Sequence, residues 1–182
     1  MMDSPPCFTV IPPERMDMVF SNAVYVSPSE FPLIHAPHVQ VKNGMIWKLQ
    51  SDPSVPEHHI AFNKLQRDVS NLKLDQSVSV VPFTGPIPPL GALRLQVESL
   101  NPKCAVTMDE TTLIQGIQSL LADHIFSRGQ VFCVEFRSVL MKISVLDLIV
   151  NGTAFGTHGA IHEQTVITCT ARAPRAIRTV RS

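Results

Sequence analysis

Ten residues near the middle of the chain set the terms for everything else. Residues 82–91 read Pro-Phe-Thr-Gly-Pro-Ile-Pro-Pro-Leu-Gly, four prolines and two glycines in one run. Proline fixes φ and has no amide to donate, so such a run neither continues a helix nor joins the middle of a sheet. A 182-residue chain interrupted there is expected to build two small cores. We expect a linker over 84–91, between a first domain at 18–83 and a second at 92–170.

The two halves differ in texture. Residues 1–17 read as a loose leader, because Pro5, Pro6, Pro12 and Pro13 block helix and sheet alike. From Phe20 to Phe83 short β-prone runs alternate with turn residues: Ala23–Val26, His38–Lys42, Met45–Leu49, His59–Phe62 and Val78–Val81. Asn43-Gly44 between two of them is a strong hairpin signal. Several short strands without a strong helix predict a small closed β barrel.

In the second half Leu93, Leu95 and Val97 alternate with Arg94, Gln96 and Glu98, the pattern of a half-buried strand. Thr107 and Glu110 have the spacing of a capping box. Leu113, Ile114, Ile117, Leu120, Leu121 and Ile125 follow at helical spacing, which predicts a helix over 109–124. Strands are predicted at Val131–Arg137, Leu140–Val150 and Thr165–Thr170. The order β-α-β-β-β describes an α+β unit. Residues 171–182 carry Arg172, Arg175, Arg178 and Arg181 with no acid, and read as a mobile basic tail.

Composition removes several function classes. Apolar residues make up 45% and charged residues 16%, which suits a folded core-forming chain. Fifteen basic residues balance fifteen acidic ones, so no global charge points to nucleic acid or to anionic lipid. No apolar run is long enough to span a bilayer, and no secretory signal is visible in the first residues. Cytoplasmic localisation is the expectation, which leaves the sequon Asn151-Gly152-Thr153 unused.

Chemistry-bearing motifs are sparse. No phosphate-cradling G-x-x-x-x-G-K-[ST] occurs, nor a G-x-S-x-G nucleophile elbow. Gly152, Gly156 and Gly159 read as a flexible connection. His58 and His59 would face opposite sides of a strand. His158 and His162 have helical metal-pair spacing but lie among glycines that do not favour a helix. The cysteines at 7, 104, 133 and 169 form no C-x-x-C pair, and Cys104 and Cys133 read as small buried apolar residues. No catalytic residue, metal site or cofactor is expected in this chain.

One stretch is distinctive. Asp52-Pro-Ser-Val-Pro56, Ile60-Ala-Phe62, Gln66-Arg67, Leu72 and Gln76 resemble the first subdomain of the N-ethylmaleimide-sensitive factor family of vesicle-fusion AAA ATPases. Phe20-Ser21-Asn22-Ala23-Val24 is similar to that family's opening strand. Gly91–Val97 and His124-Ile-Phe-Ser-Arg-Gly-Gln130 are similar to its second subdomain. The resemblance covers roughly residues 18–170.

The resemblance implies a double-psi β barrel followed by a small four-stranded α/β roll. It implies a non-catalytic N domain that binds the alpha-SNAP adaptor, and through it SNARE complexes, without entering the membrane. ATP and Mg would serve ATPase domains elsewhere in a hexameric parent, the isolated domain being a monomer. Because the adaptor's C-terminal end is acidic in that family, basic residues would hold it. Arg67 and Lys103 match basic interface positions, while Lys64 and Arg94 are candidate supplements. Asp68 and Pro102 stand where the family carries lysine. Two alternatives stay open: the N domain of a valosin-containing-protein-type ATPase, binding ubiquitin-pathway cofactors, and a small enzyme on a double-psi barrel.

Overall fold

The computed structural model describes residues 4–101, 106–151, 156–171 and 177–180. The chain divides into two units, Met1–Pro86 and Ile87–Ser182. The division falls inside the proline–glycine run, but Leu90 and Gly91 open a strand instead of belonging to the connector.

The first unit is a seven-stranded sheet: β1 (Cys7–Ile11), β2 (Ala23–Val26), β3 (His38–Gln40), β4 (Ile46–Ser51), β5 (His59–Ala61), β6 (Ser77–Ser79) and β7 (Val81–Pro82), in the order β6-β1-β5-β2-β4-β3-β7. The two outermost strands, β6 and β7, are consecutive in sequence with Val80 between them. One continuous stretch therefore pairs with β1 through its first half and with β3 through its second. That forces the sheet to wrap into a nearly closed barrel. The β1/β5 and β2/β4 pairs are parallel, and the remaining pairs are antiparallel.

Alternation supplies the interior. Val10, Val24, Val26, Val39, Trp47, Leu49, Ile60, Phe62, Val78 and Val80 form one buried cluster. β2 is buried at all four positions, because its other face, with Ala23 and Tyr25, packs on Met18, Val55 and Ala61. Trp47 is 1% exposed, and its indole N–H donates to Ser70 Oγ at 2.9 Å, so its burial leaves no polar atom stranded.

Two expectations for this half need correction. The leader is not loose: Cys7–Ile11 forms β1, parallel to β5 and antiparallel to β6. The prolines at 5–6 and 12–13 bound this β-prone segment instead of breaking it, which is where strands tolerate proline. Helices are also present: α1 (Met16–Val19), α2 (Phe31–Ile34) and α3 (Lys64–Ser70). α3 starts at a full capping box. Asn63 Oδ1 accepts from the Gln66 N–H, and Gln66 Oε1 accepts from the Asn63 N–H, both at 2.9 Å. Asn-x-x-Gln is the sequence signal for that start.

The second unit comprises β8 (Leu90–Ser99), β9 (Val106–Asp109), α4 (Glu110–Leu120), β10 (Phe126–Ser127), β11 (Val131–Phe136), β12 (Val139–Val150), β13 (His158–Gly159), β14 (Val166–Ala171) and β15 (Ile177–Val180). Its main sheet has the order β11-β12-β8-β14, with β14 parallel to β8 and the other pairs antiparallel. Arg137 and Ser138, both at positive φ, make the two-residue turn from β11 to β12. Leu93, Leu95 and Val97 of β8 point into a core that includes Leu113, Ile117 and Leu121 from the helical segment and Phe132, Ile143 and Ile167 from the sheet. Gly116 lets α4 sit close: a Cβ there would lie 2.5 Å from the Phe136 ring.

α4 begins later than Thr107. Thr107 belongs to β9, and Asp109 caps the helix by accepting from the Thr112 N–H at 3.0 Å. A carboxylate next to the first turn also meets the positive end of the helix dipole. In the basic tail, Ile177–Val180 forms β15, parallel to β9. Ile177, Thr179 and Val180 are β-branched and favour a strand, so this part is ordered by pairing. Arg172, Arg175 and Arg181 lie outside the described residues.

Candidate functional site

α3 carries two of the four basic candidates, and its position follows from the capping box. Asn63 Nδ2 donates to the Val19 carbonyl and Gln66 Nε2 to the Ala23 carbonyl, each at 3.0 Å. Asn63 and Gln66 are both buried. These bonds tie the helix start to the segment entering β2. Its first turn is therefore fixed by satisfied buried polar groups, which makes it rigid.

Arg67 is half-buried on this helix, and its Nη1 donates to the Phe62 carbonyl at 2.6 Å. The polar Ser70-Asn71 that follow it in the sequence suggest a freely exposed charge. Helical geometry instead folds the long side chain back along α3 toward the end of β5. One nitrogen of the fork is engaged, and the others remain available to an acceptor. Lys64 is exposed and pairs with Asp68 at 2.8 Å, one turn on. Asp68, at a position that is basic in the resembled family, thus neutralises its neighbour.

A second ionic cluster in this unit was not read from the sequence. Asp52 is 6% exposed. Its carboxylate receives Arg15 through two bonds, 3.1 and 2.7 Å, and also the Ser54 N–H and Oγ–H. Arg15 first, and Ser54 next, hold the Asp52 carboxyl down at about 2. The turn Asp52-Pro-Ser54 was legible as an Asx turn. Nothing in the sequence paired it with Arg15, 37 residues earlier. The cluster reads as a structural clamp on the Asp52–Val55 turn, where the Val55 N–H bonds the Asp52 carbonyl.

In the second unit, Arg94 is exposed on the outer face of β8, in register with Asp147 of β12. Asp147 is already held by Arg128, whose Nε and Nη2 lie 3.0 and 2.7 Å from Oδ1. Those bonds are the main reason the Asp147 carboxyl sits below its ordinary range; the more distant charge of Arg94 adds least. Two guanidiniums thus face one carboxylate, and the surface keeps a positive excess. Arg128, in the turn before β11, was missed because only the fold places it beside β12. Lys103, with Pro102 and Cys104, lies outside the described residues.

The histidines do not converge. His58 sits at positive φ with Nδ1 3.3 Å from Glu30, while His59 Nδ1 is bonded to the Glu57 carbonyl. His158 contacts Thr157, and His162 Nδ1 accepts from the Gln164 N–H. Among the described residues, no group of three or more His, Cys, Asp or Glu is arranged to hold a metal ion. Burial pushes the Cys133 thiol up to about 11 and the Cys169 thiol up to about 12, which removes thiolate reactivity at neutral pH. No described helix is long and apolar enough to cross a membrane.

Lys64 and Arg67 thus share α3, Arg94 stands with Arg128 on a different unit, and each set presents donors suited to carboxylates. Comparison of the chain with models of known protein families and with curated proteins found no match.

Proposed function

We propose that this chain is a non-catalytic N domain of a hexameric vesicle-fusion ATPase. It binds the acidic alpha-SNAP adaptor on SNARE complexes ahead of their ATP-driven disassembly. The observation that carries this reading is where the family-like residues meet. Ala23, Phe62 and Gln66-Arg67, drawn from three of the family-like segments, join at one hydrogen-bonded node around the start of α3. A shared fold would account for motif residues from separate segments meeting in one place. The wrapped seven-stranded sheet with two parallel pairs is compatible with a double-psi barrel, and the helix-backed sheet of the second unit with the accompanying roll.

In this reading the adaptor's carboxylates meet Arg67 and Lys64 on α3, Arg94 on β8, and Lys103. Charge steers the encounter, and bidentate bonds hold it. The domain acts in the cytoplasm at membrane surfaces through its partners. ATP and Mg belong to the parent's ATPase domains.

Calorimetry with alpha-SNAP, with and without its acidic C-terminal end, tests the reading. Binding that needs the acidic end and weakens with salt is expected. No binding to the adaptor, together with binding to a ubiquitin-pathway cofactor, would favour the valosin-containing-protein-type reading instead. Micromolar affinity of the chain for ATP would count against an adaptor module.

A further inference from the structure

The barrel of the first unit has an open seam. β3 pairs with β7 at Val39↔Pro82 and Gln40↔Val81. Continued two steps, that ladder would set Lys42 opposite Ser79. It stops instead, because the chain turns at Asn43-Gly44, with Gly44 at φ +93°. The turn is pinned elsewhere: Asn43 Nδ2 donates to the Val69 carbonyl of α3 at 2.7 Å. β3 and β6 therefore splay apart around a cleft of about 860 Å³, whose lining includes Lys42, Asn43, Asn71, Gln76, Ser77 and Ser79.

One wall of this cleft is an unpaired strand edge. On its other side β6 pairs antiparallel with β1, Phe8 opposite Val78. The flanking bonds are Val10 N–H to the Gln76 carbonyl at 2.9 Å and Val80 N–H to the Pro6 carbonyl at 3.3 Å. Because antiparallel bonding alternates, residues 76, 78 and 80 turn their backbone groups toward β1. Ser77 and Ser79 turn theirs away from β1, toward the seam. The Ser79 hydroxyl, also on this wall, is buried without a hydrogen-bond partner. No lining residue carries a carboxylate, and Lys42 is the one cation among them.

We propose that this seam binds an extended, carboxylate-bearing segment of a partner protein, which adds to β6 as a strand. An extended chain repeats its donor–acceptor pair every second residue, roughly 7 Å apart, which is the spacing Ser77 and Ser79 present. Such strand addition takes affinity from main-chain bonds and selectivity from the alternate side chains. The Ser79 hydroxyl adds a further polar contact, and Lys42 selects an acidic residue. The site uses none of the basic positions assigned to the adaptor, so it stands or falls independently of that reading.

The test is selection of a randomised octapeptide display library on the whole 182-residue chain, which requires no adaptor. Enriched peptides are resynthesised with single N-methylations at each amide in turn. Methylation at alternate amides is expected to weaken binding roughly tenfold, with little effect at the intervening ones. Ser79→Pro removes a donor that faces the seam while sparing the ladder to β1, and should weaken the same peptides comparably, with circular dichroism unchanged. Lys42→Ala should weaken the acidic ones. Failure to enrich any peptide, or affinity indifferent to which amide is methylated, overturns the proposal. A dimer of the chain that Ser79→Pro dissociates also overturns it, by assigning the edge to a second copy.

Discussion

Replacing Arg67 separates a structural role from a binding role. In the structure the Arg67 guanidinium donates to the Phe62 carbonyl at 2.6 Å from a half-buried position. A hydrogen bond from a charged group contributes about 1.5–3 kcal/mol when well buried, and partial exposure takes this toward the lower end. Arg67→Ala is therefore expected to cost about 1–1.5 kcal/mol. Arg67→Glu also places a negative charge in the last turn of α3, against the helix dipole, at about 0.3–1 kcal/mol more.

The charge reversal thus costs about 2 kcal/mol, well beyond the 0.5 kcal/mol typical of a solvated surface charge. For a unit of this size that corresponds to a fall on the order of 10 °C in melting temperature. Urea titration followed by Trp47 fluorescence reads the first unit directly, since Trp47 is the sole tryptophan and is buried there. Adaptor affinity is then measured at a temperature where every variant is folded, and should drop about thirtyfold for Arg67→Glu. If Arg67→Ala unfolds at the wild-type urea midpoint, the bond to Phe62 contributes nothing and the structural half of the argument fails. If Arg67→Glu stays folded and binds the adaptor undiminished, the binding half fails.

Asp68→Lys should remove the pairing with Lys64 for a few tenths of a kcal/mol and tighten adaptor binding at low salt; unchanged affinity by calorimetry would move the interface off α3. The Asp52 carboxyl is depressed to about 2 from 3.8, so its contribution is complete above about pH 4 and is lost as pH falls toward 2. Asp52→Asn should flatten the acid limb of a stability–pH curve in that window. Asp109→Ala should destabilise the second unit by about 1 kcal/mol while Thr107→Ala leaves it nearly unchanged, by denaturant unfolding read from the circular dichroism of α4. Iodoacetamide should modify the exposed Cys7 quickly, and Cys133 and Cys169 only on unfolding. Mass mapping of the alkylated peptides would show otherwise.

Local information was enough for much of the fold. The proline–glycine run marks where the chain divides, because missing amides and fixed φ act within a few residues. β8 and the apolar face of α4 follow from alternation and helical spacing, since burial of one face imprints a period on the sequence. The Asn63–Gln66 pair also spells out a helix start, although the surrounding strands overshadowed it. Other features depend on partners distant in the chain. Cys7–Ile11 becomes β1 only because β5 and β6 lie on either side to take its backbone bonds, and Ile177–Val180 becomes β15 only beside β9. Arg15 finds Asp52 and Arg128 finds Asp147 through contacts that no spacing rule encodes. The open seam beside β6 is likewise decided by one side-chain bond, Asn43 to the Val69 carbonyl, which draws the hairpin onto α3. Sequence alone determines the character of each segment, because propensity and periodicity are local. Tertiary structure decides which charges remain free and which strand edge stays unpaired, because hydrogen-bond partners and burial depend on what the rest of the chain brings alongside.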